Sequence, residues 1–150
     1  MKKWSLLLVT VFVFFSAVLK AQTTGGKRTP TNAELKQLSS YCDSLLREMK
    51  RIYKLEKQEN TPGKYQPQRI ALVRSYLWIY QYLDKQLSVV AFSERDVIRI
   101  LGRPNSRYPE NDYEVFAYTD LDKPYLRLKN FNYKLIFKAK QLVLVKTNLQ

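Results

Sequence analysis

Four arginines recur at every fourth position in the second half of the chain: Arg95, Arg99, Arg103 and Arg107. The first two fall within a predicted helix, where residues four apart lie on one face. A guanidinium presents paired N–H donors that match phosphate and carboxylate groups. The run therefore predicts an anion-binding surface around the end of this helix, and the alternative is an ordinary solvated basic face.

A second candidate set is Arg74, Trp78 and Tyr82, which are spaced four residues apart in another predicted helix. The spacing puts all three on one face, away from the main apolar stripe of that helix. Aromatic residues beside arginine are typical of the centres of protein interfaces. The set predicts a partner-binding patch, unless this helix lies between the first helix and a C-terminal sheet that covers it.

The residue types that most enzymes need are missing. The chain has no histidine and one cysteine, Cys42, so Ser-His or Cys-His catalysis, a His-ligated zinc site and an intramolecular disulfide are all excluded. Acidic clusters occur at residues 110–114 and 120–122, but they flank loops or strand ends and lack the pattern of a calcium loop. We predict a non-enzymatic protein with no catalytic residues, no metal site and no cofactor.

The start of the chain resembles an export signal. Residues 1–3 are basic, residues 4–19 are uncharged, and the small residue Ala21 precedes the expected cleavage point. As a helix the uncharged stretch spans about 24 Å, less than the roughly 30 Å of a bilayer's hydrocarbon layer. We therefore expect residues 1–21 to be a signal peptide that is cleaved, rather than an anchor that is retained, and the mature protein to be periplasmic or extracellular, peripheral at most to the outer membrane.

The net charge of the chain indicates which kinds of partner it attracts. The chain has 26 Lys and Arg against 13 Asp and Glu, a net charge of +13, and loss of residues 1–21 removes three lysines and leaves +10. Outside the cytoplasm such a charge favours anionic lipid, lipopolysaccharide or acidic proteins. Nucleic acid is not expected, because export separates the protein from it and no strand pattern interleaves aromatic and basic residues.

The mature chain is predicted to begin with a flexible leader and a helical hairpin. Residues 22–30 have two adjacent glycines and no apolar period, whereas Thr31 and Glu34 form a capping-box pattern that starts a helix. Its apolar residues alternate at spacings of three and four: Leu35, Leu38, Cys42, Leu45, Met49 and Ile52. The hairpin is expected over residues 31–90, with a turn at 60–63.

The second helix of this hairpin is expected from about Pro67 to about Val90, since proline suits the first turn of a helix. Its main stripe is predicted from the helical spacing of five apolar residues: Ile70, Val73, Leu77, Tyr80 and Leu87. Leu72, Ile79 and Leu83 are expected to widen this stripe.

From Ser93 onward the sequence pattern changes from long helices to one short helix followed by strands. A cap pattern at Ser93 and Asp96 starts a short helix, which Gly102 and Pro104 end. Strands are predicted at residues 114–118, 133–138 and 142–145, and residues 125–129 are expected to add a fourth at an edge. Residues 93–147 thus form a helix and a three- to four-stranded antiparallel sheet, which makes the fold class α+β.

These last residues resemble the BamE (SmpA/OmlA) domain. The resemblance rests on Ser93-x-x-x-Val97-x-x-x-Leu101-Gly102-x-Pro104, on the aromatic strand at Phe116 and Tyr118, and on Leu135 and Phe137 before the closing strand. It covers residues 93–147, and the hairpin at 31–90 has no counterpart in that family. The resemblance implies a periplasmic, envelope-associated binding module, and an accessory role in the assembly of outer-membrane β-barrels.

The sequence as a whole predicts an exported, non-enzymatic binding or scaffold protein of the cell envelope, with a protein partner at the second helix or the sheet edge and an accessory function in outer-membrane assembly or maintenance. One alternative is a protein that binds anionic lipid or lipopolysaccharide through its basic surface. Another is a secreted inhibitor of a larger enzyme.

Overall fold

The computed structural model describes residues 26–120, 124–126 and 132–147. These ranges hold helices followed by an antiparallel sheet of strand order β1-β2-β3-β4, which confirms the α+β class. The elements in chain order are α1 (Asn32–Gln58), α2 (Gln66–Gln86), α3 (Glu94–Leu101), β1 (Ser106–Glu110), β2 (Tyr113–Thr119), a 3₁₀ turn (Pro124–Leu126), β3 (Asn132–Lys138) and β4 (Gln141–Thr147). The predicted signal peptide, residues 1–21, lies outside the described residues.

Helix α1 begins and packs as its sequence predicts. The backbone N–H of Glu34 donates to the Thr31 hydroxyl, and the Thr31 N–H donates to the Glu34 carboxylate at 2.7 Å, which completes the capping box. All six residues of the predicted stripe are buried, from Leu35 to Ile52. The helix ends before Asn60, whose φ of 49° starts the turn.

Helix α2 is buried over a wide arc, and the three residues predicted to widen its stripe, Leu72, Ile79 and Leu83, are all buried. The stripe differs from the prediction at other positions. Ile70 and Leu77 are only half-buried, and Tyr76, which the stripe omits, is fully buried. The reason is that α2 contacts α1 on one side and β4 on another, while the Tyr80 ring stacks on Tyr133 of β3 with centroids 4.2 Å apart. Helix α2 thus lies between α1 and the sheet, and it ends at Gln86, four residues before the predicted end at Val90.

The last part of the predicted leader makes defined contacts. The backbone of Arg28 donates to Val89 and accepts from Ala91, and its guanidinium pairs with Glu34 of α1. These bonds hold Arg28 beside the end of α2, and the flexibility of the leader stays a prediction. Residues 22–25 lie outside the described residues.

Helix α3 confirms the second capping box, because the Ser93 hydroxyl and the Asp96 carboxylate each accept a backbone N–H of the other. The helix ends at Gly102, whose φ of 79° and ψ of −173° lie in a region that only glycine adopts without strain. The Tyr118 hydroxyl donates to the carbonyl of Gly102 at 2.9 Å, which joins this helix end to β2.

The sheet contains one strand that the sequence did not predict and lacks part of one that it did. Residues 106–110, expected to be a loop, form β1 and pair with β2 around a turn at Asn111, whose φ is 56°. The edge strand predicted at 125–129 is wrong for Tyr125 and Leu126, which form the 3₁₀ turn. Leu126 is fully buried and the turn contacts α1, so packing on the helix replaces strand pairing there. Residues 127–129 lie outside the described residues.

Candidate functional site

A pocket of about 500 Å³ lies on the outer face of α1, next to the buried stripe. Its lining residues recur at helical spacings of three and four, so a single helix presents almost all of them. They are Lys36, Ser39, Ser40, Asp43, Leu46, Arg47 and Lys50 of α1, and Arg99 of α3.

Arg99 reaches this pocket because α3 packs against α1. Its guanidinium donates to the side-chain oxygen of Asn32, the first residue of α1, at 3.2 Å. This bond links the end of α3 to the start of α1 and places the arginine at one end of the pocket.

The pocket combines several cations with few carboxylates. Within the described ranges, Lys36, Arg47, Lys50 and Arg99 form no ion pair, and Asp43 is the acidic residue among the lining side chains. The ammonium of Lys50 lies 5.3 Å from the centre of the Tyr125 ring, a cation–π contact that leaves its charge in place. Two serine hydroxyls add neutral donors. Such a set of donors suits an anion with several oxygens, such as phosphate.

The four predicted arginines have different surroundings, and their role in anion binding stays a prediction. Arg107 lies on β1, where its Nε contacts Glu114 at 2.5 Å and its Nη2 contacts Glu94 at 3.2 Å. The hydrogen bond to Glu114 raises the pKa of Arg107 above its ordinary value. Its guanidinium also lies 5.0 Å from the centre of the Phe116 ring. Two carboxylates therefore already neutralise Arg107.

Arg95 and Arg103 are exposed, and neither forms an ion pair with any residue in the described ranges. Of the predicted set, Arg99 is the one that lines the pocket. The arginine spacing alone could not predict which arginine lines the pocket. A spacing of four places residues on one face only within a helix, and α3 ends at Leu101.

The predicted patch on α2 is partly covered. The Trp78 and Tyr82 rings lie side by side with centroids 5.3 Å apart, but both are half-buried and pack against the core, whereas Arg74 is exposed. Burial raises the pKa of Tyr82, and the charges of Glu34 and Arg28 also act on it. The covered side of this patch therefore lies near the segment that carries Arg28, and its role in partner binding stays a prediction.

Sequence reasoning missed the pocket residues of α1. The signal was present, because Lys36, Ser40, Asp43, Arg47 and Lys50 alternate at spacings of four and three beside the apolar stripe. Polar residues on the exposed face of a helix usually face only solvent, so their spacing does not mark a site until another element closes the face. Here α3 supplies that closure through Arg99.

The remaining candidate residues are not among the side chains that line the pocket. Cys42 is 1% exposed within the core, and Glu114 is paired with Arg107, whereas Glu110 and Asp112 are exposed. Asp120 is buried, and Asp122 lies outside the described residues. In the part of the chain that the structure describes, no group of three or more His, Cys, Asp or Glu side chains is placed to hold a metal ion. No helix of that part is long and apolar enough to span a bilayer.

The chain matches no protein-family model, and it has no match among curated proteins or among solved structures.

Proposed function

We propose that this protein is a non-enzymatic binding protein that holds phosphate-bearing anions, such as anionic lipid head groups or lipopolysaccharide, in the α1 pocket. One observation carries the proposal: Lys36, Arg47, Lys50 and Arg99 line one pocket without an ion pair among the described residues.

Like charges that share a pocket repel one another, and a bound anion removes that repulsion. Each lysine or arginine near an anionic membrane surface contributes about 1 kcal/mol of attraction. Asp43 has a compatible role, because its carboxylate can accept a hydrogen bond from the hydroxyl groups that lipid head groups and sugars carry.

The proposed location is the cell envelope. The export signal expected in residues 1–21 would bring the pocket to anionic lipid outside the cytoplasm, and the net charge of +10 left after cleavage favours such surfaces. The likeness of residues 93–147 to the BamE domain supports an accessory or scaffold role in outer-membrane assembly or maintenance. A protein partner is part of this proposal.

The test is cosedimentation of the purified protein with vesicles of phosphatidylcholine and phosphatidylglycerol in equal amounts. Replacement of two pocket cations, Arg47→Ala with Lys50→Ala, removes about 2 kcal/mol of attraction and should weaken binding about thirtyfold. The matched control, Lys54→Ala with Lys85→Ala, removes the same charge from exposed positions outside the pocket and should change binding by much less. An equal loss in both variants would overturn the proposal, since it would mean that only net charge matters.

Two further arms identify the source of the anion. Pure phosphatidylcholine vesicles measure attraction that does not depend on charge, and the pocket variant should match the parent protein there. Inorganic phosphate added to the anionic vesicles competes for a pocket that reads phosphate groups. If millimolar phosphate displaces the parent protein and sodium chloride of the same ionic strength does not, the pocket recognises phosphate itself. If neither salt displaces the protein, the pocket requires the membrane surface.

A further inference from the structure

The outer face of the sheet carries an apolar row that no helix of the described residues covers. Cross-strand partners share a face, and the register places Tyr108, Val115, Ile136 and Leu144 directly beside one another across all four strands. Val115 is fully buried although it lies outside the inner core, which includes its neighbour Phe116. The row ends at Leu144, which is 40% exposed on the last strand.

The two edges of the sheet differ. On one edge β1 contains Pro109, which has no N–H to donate to a further strand. On the other edge β4 contains no proline. Its first residues are occupied, because Leu142 donates to Phe92 and Gln141 pairs with Ser93. Beyond Leu142, no backbone hydrogen bond from outside the sheet reaches β4 among the described residues.

The charged side chain at this open edge is basic. Lys146 lies on the outer face of β4, is exposed, and forms no ion pair within the described ranges. Lys134, its partner on β3, turns away from β4, because its ammonium lies 5.9 Å from the centre of the Tyr108 ring on β1. The ammonium of Lys138 likewise lies over the Tyr113 ring on β2. A second copy of the chain would bring the same Lys146 to the same edge, so the charge disfavours self-pairing and favours an acidic partner.

We infer that residues 143–147 of β4 accept an extended acidic segment of a partner protein as a fifth strand. The added strand gains backbone hydrogen bonds from the open edge, which is how extended peptides join exposed sheet edges. Its side chains on the outer face are specified by the register: an apolar residue beside Leu144 and a carboxylate beside Lys146. This site is separate from the α1 pocket and from the anion proposed there.

The test uses the full protein and a short labelled peptide in which Val and Glu alternate with Thr, so that one face carries the two specified side chains. Fluorescence anisotropy should show binding of this peptide and none of a counterpart with Lys in place of Glu. Lys146→Ala should weaken binding about fivefold, since a cross-strand charge pair contributes up to about 1 kcal/mol. The control Lys54→Ala should retain it.

Amide hydrogen exchange locates the contact. Binding of the acidic peptide should slow exchange in residues 143–147 and leave that of α1 unchanged. The variant Arg47→Ala with Lys50→Ala should bind the peptide normally, which separates this inference from the anion pocket. The inference is overturned if the Lys and Glu peptides bind equally, if protection appears outside β4, or if the protein instead dimerises through this edge.

Discussion

Arg99 and Arg107 are eight residues apart in the same basic run, yet they have opposite surroundings. Arg99 lies in a pocket with Lys36, Arg47 and Lys50, and it forms no ion pair in the described ranges. Arg107 contacts the carboxylates of both Glu94 and Glu114. The comparison shows that a basic residue becomes a candidate for anion binding only where the fold leaves its charge without a partner.

A third arginine, Arg69, has surroundings that differ from those of both Arg99 and Arg107. Arg69 of α2 pairs with Glu56 of α1 at 2.8 Å, and both side chains are largely buried, with 14% and 8% of their surface exposed. The Arg69 guanidinium also lies 5.9 Å from the centre of the Tyr53 ring. This pair joins the two helices of the hairpin, so its role is structural, whereas the role proposed for the Arg99 pocket is binding.

The largest effect is expected at the buried pair. Arg69→Ala leaves the Glu56 charge buried without its partner and should lower the free energy of unfolding by about 3 kcal/mol. Urea denaturation followed by circular dichroism measures it. The double variant Arg69→Met with Glu56→Leu removes both charges and should recover most of the loss. If the single and double variants are equally unstable, packing rather than charge holds this contact.

A smaller effect is expected at the pair between Arg28 and Glu34. The hydrogen bond from Arg28 lowers the pKa of Glu34 to about 2, from an ordinary value of 4.5. The depressed pKa means that the stabilisation is complete above pH 4.5 and is lost as the pH falls towards 2. Glu34→Gln keeps a side chain able to complete the capping box but loses the ion pair.

The variant should therefore be less stable at neutral pH by roughly 0.5 to 1 kcal/mol, and its stability should fall less steeply over that acidic range. Thermal unfolding of both proteins from neutral pH down to pH 2 tests this. Parallel pH profiles of the parent protein and the variant would contradict the lowered pKa of Glu34.

The smallest effect is expected at Arg107. Because its side chain is 52% exposed, water screens its two ion pairs, and Arg107→Ala should change stability less than Glu34→Gln does. Binding to anionic vesicles should fall far less than in the variant Arg47→Ala with Lys50→Ala. A loss of vesicle binding as large as in that variant would show that Arg107 binds anions despite its two carboxylate partners. The contrast drawn between Arg99 and Arg107 would then be wrong.

The helices were more predictable than the sheet. Both capping boxes and the buried face of α1 follow from local patterns, since side-chain caps and apolar spacing act within a few turns of one helix. Strand β1 was missed because its sequence, Ser-Arg-Tyr-Pro-Glu, is polar and contains proline. It becomes a strand by pairing with β2, which is a tertiary contact.

The candidate site was also predictable only in part. Residue types limited the chemistry, because a chain with no histidine and an excess of arginine and lysine favours anion binding over catalysis. They did not show which cations act together. Tyr76 was likewise not predicted to belong to the buried stripe of α2, because its burial depends on the sheet on one side and α1 on the other.

The sequence by itself determined that helices precede the strands, where caps start α1 and α3, and the sign of the charge, since these depend on residue types and on residues that are neighbours along the chain. Only the tertiary structure decided which charges meet. The packing of α3 on α1 brought Arg99 to Lys36, and the pairing of β1 with β2 brought Glu114 to Arg107. Charge effects depend on distance in space, which the spacing of residues along the chain does not set beyond a single element.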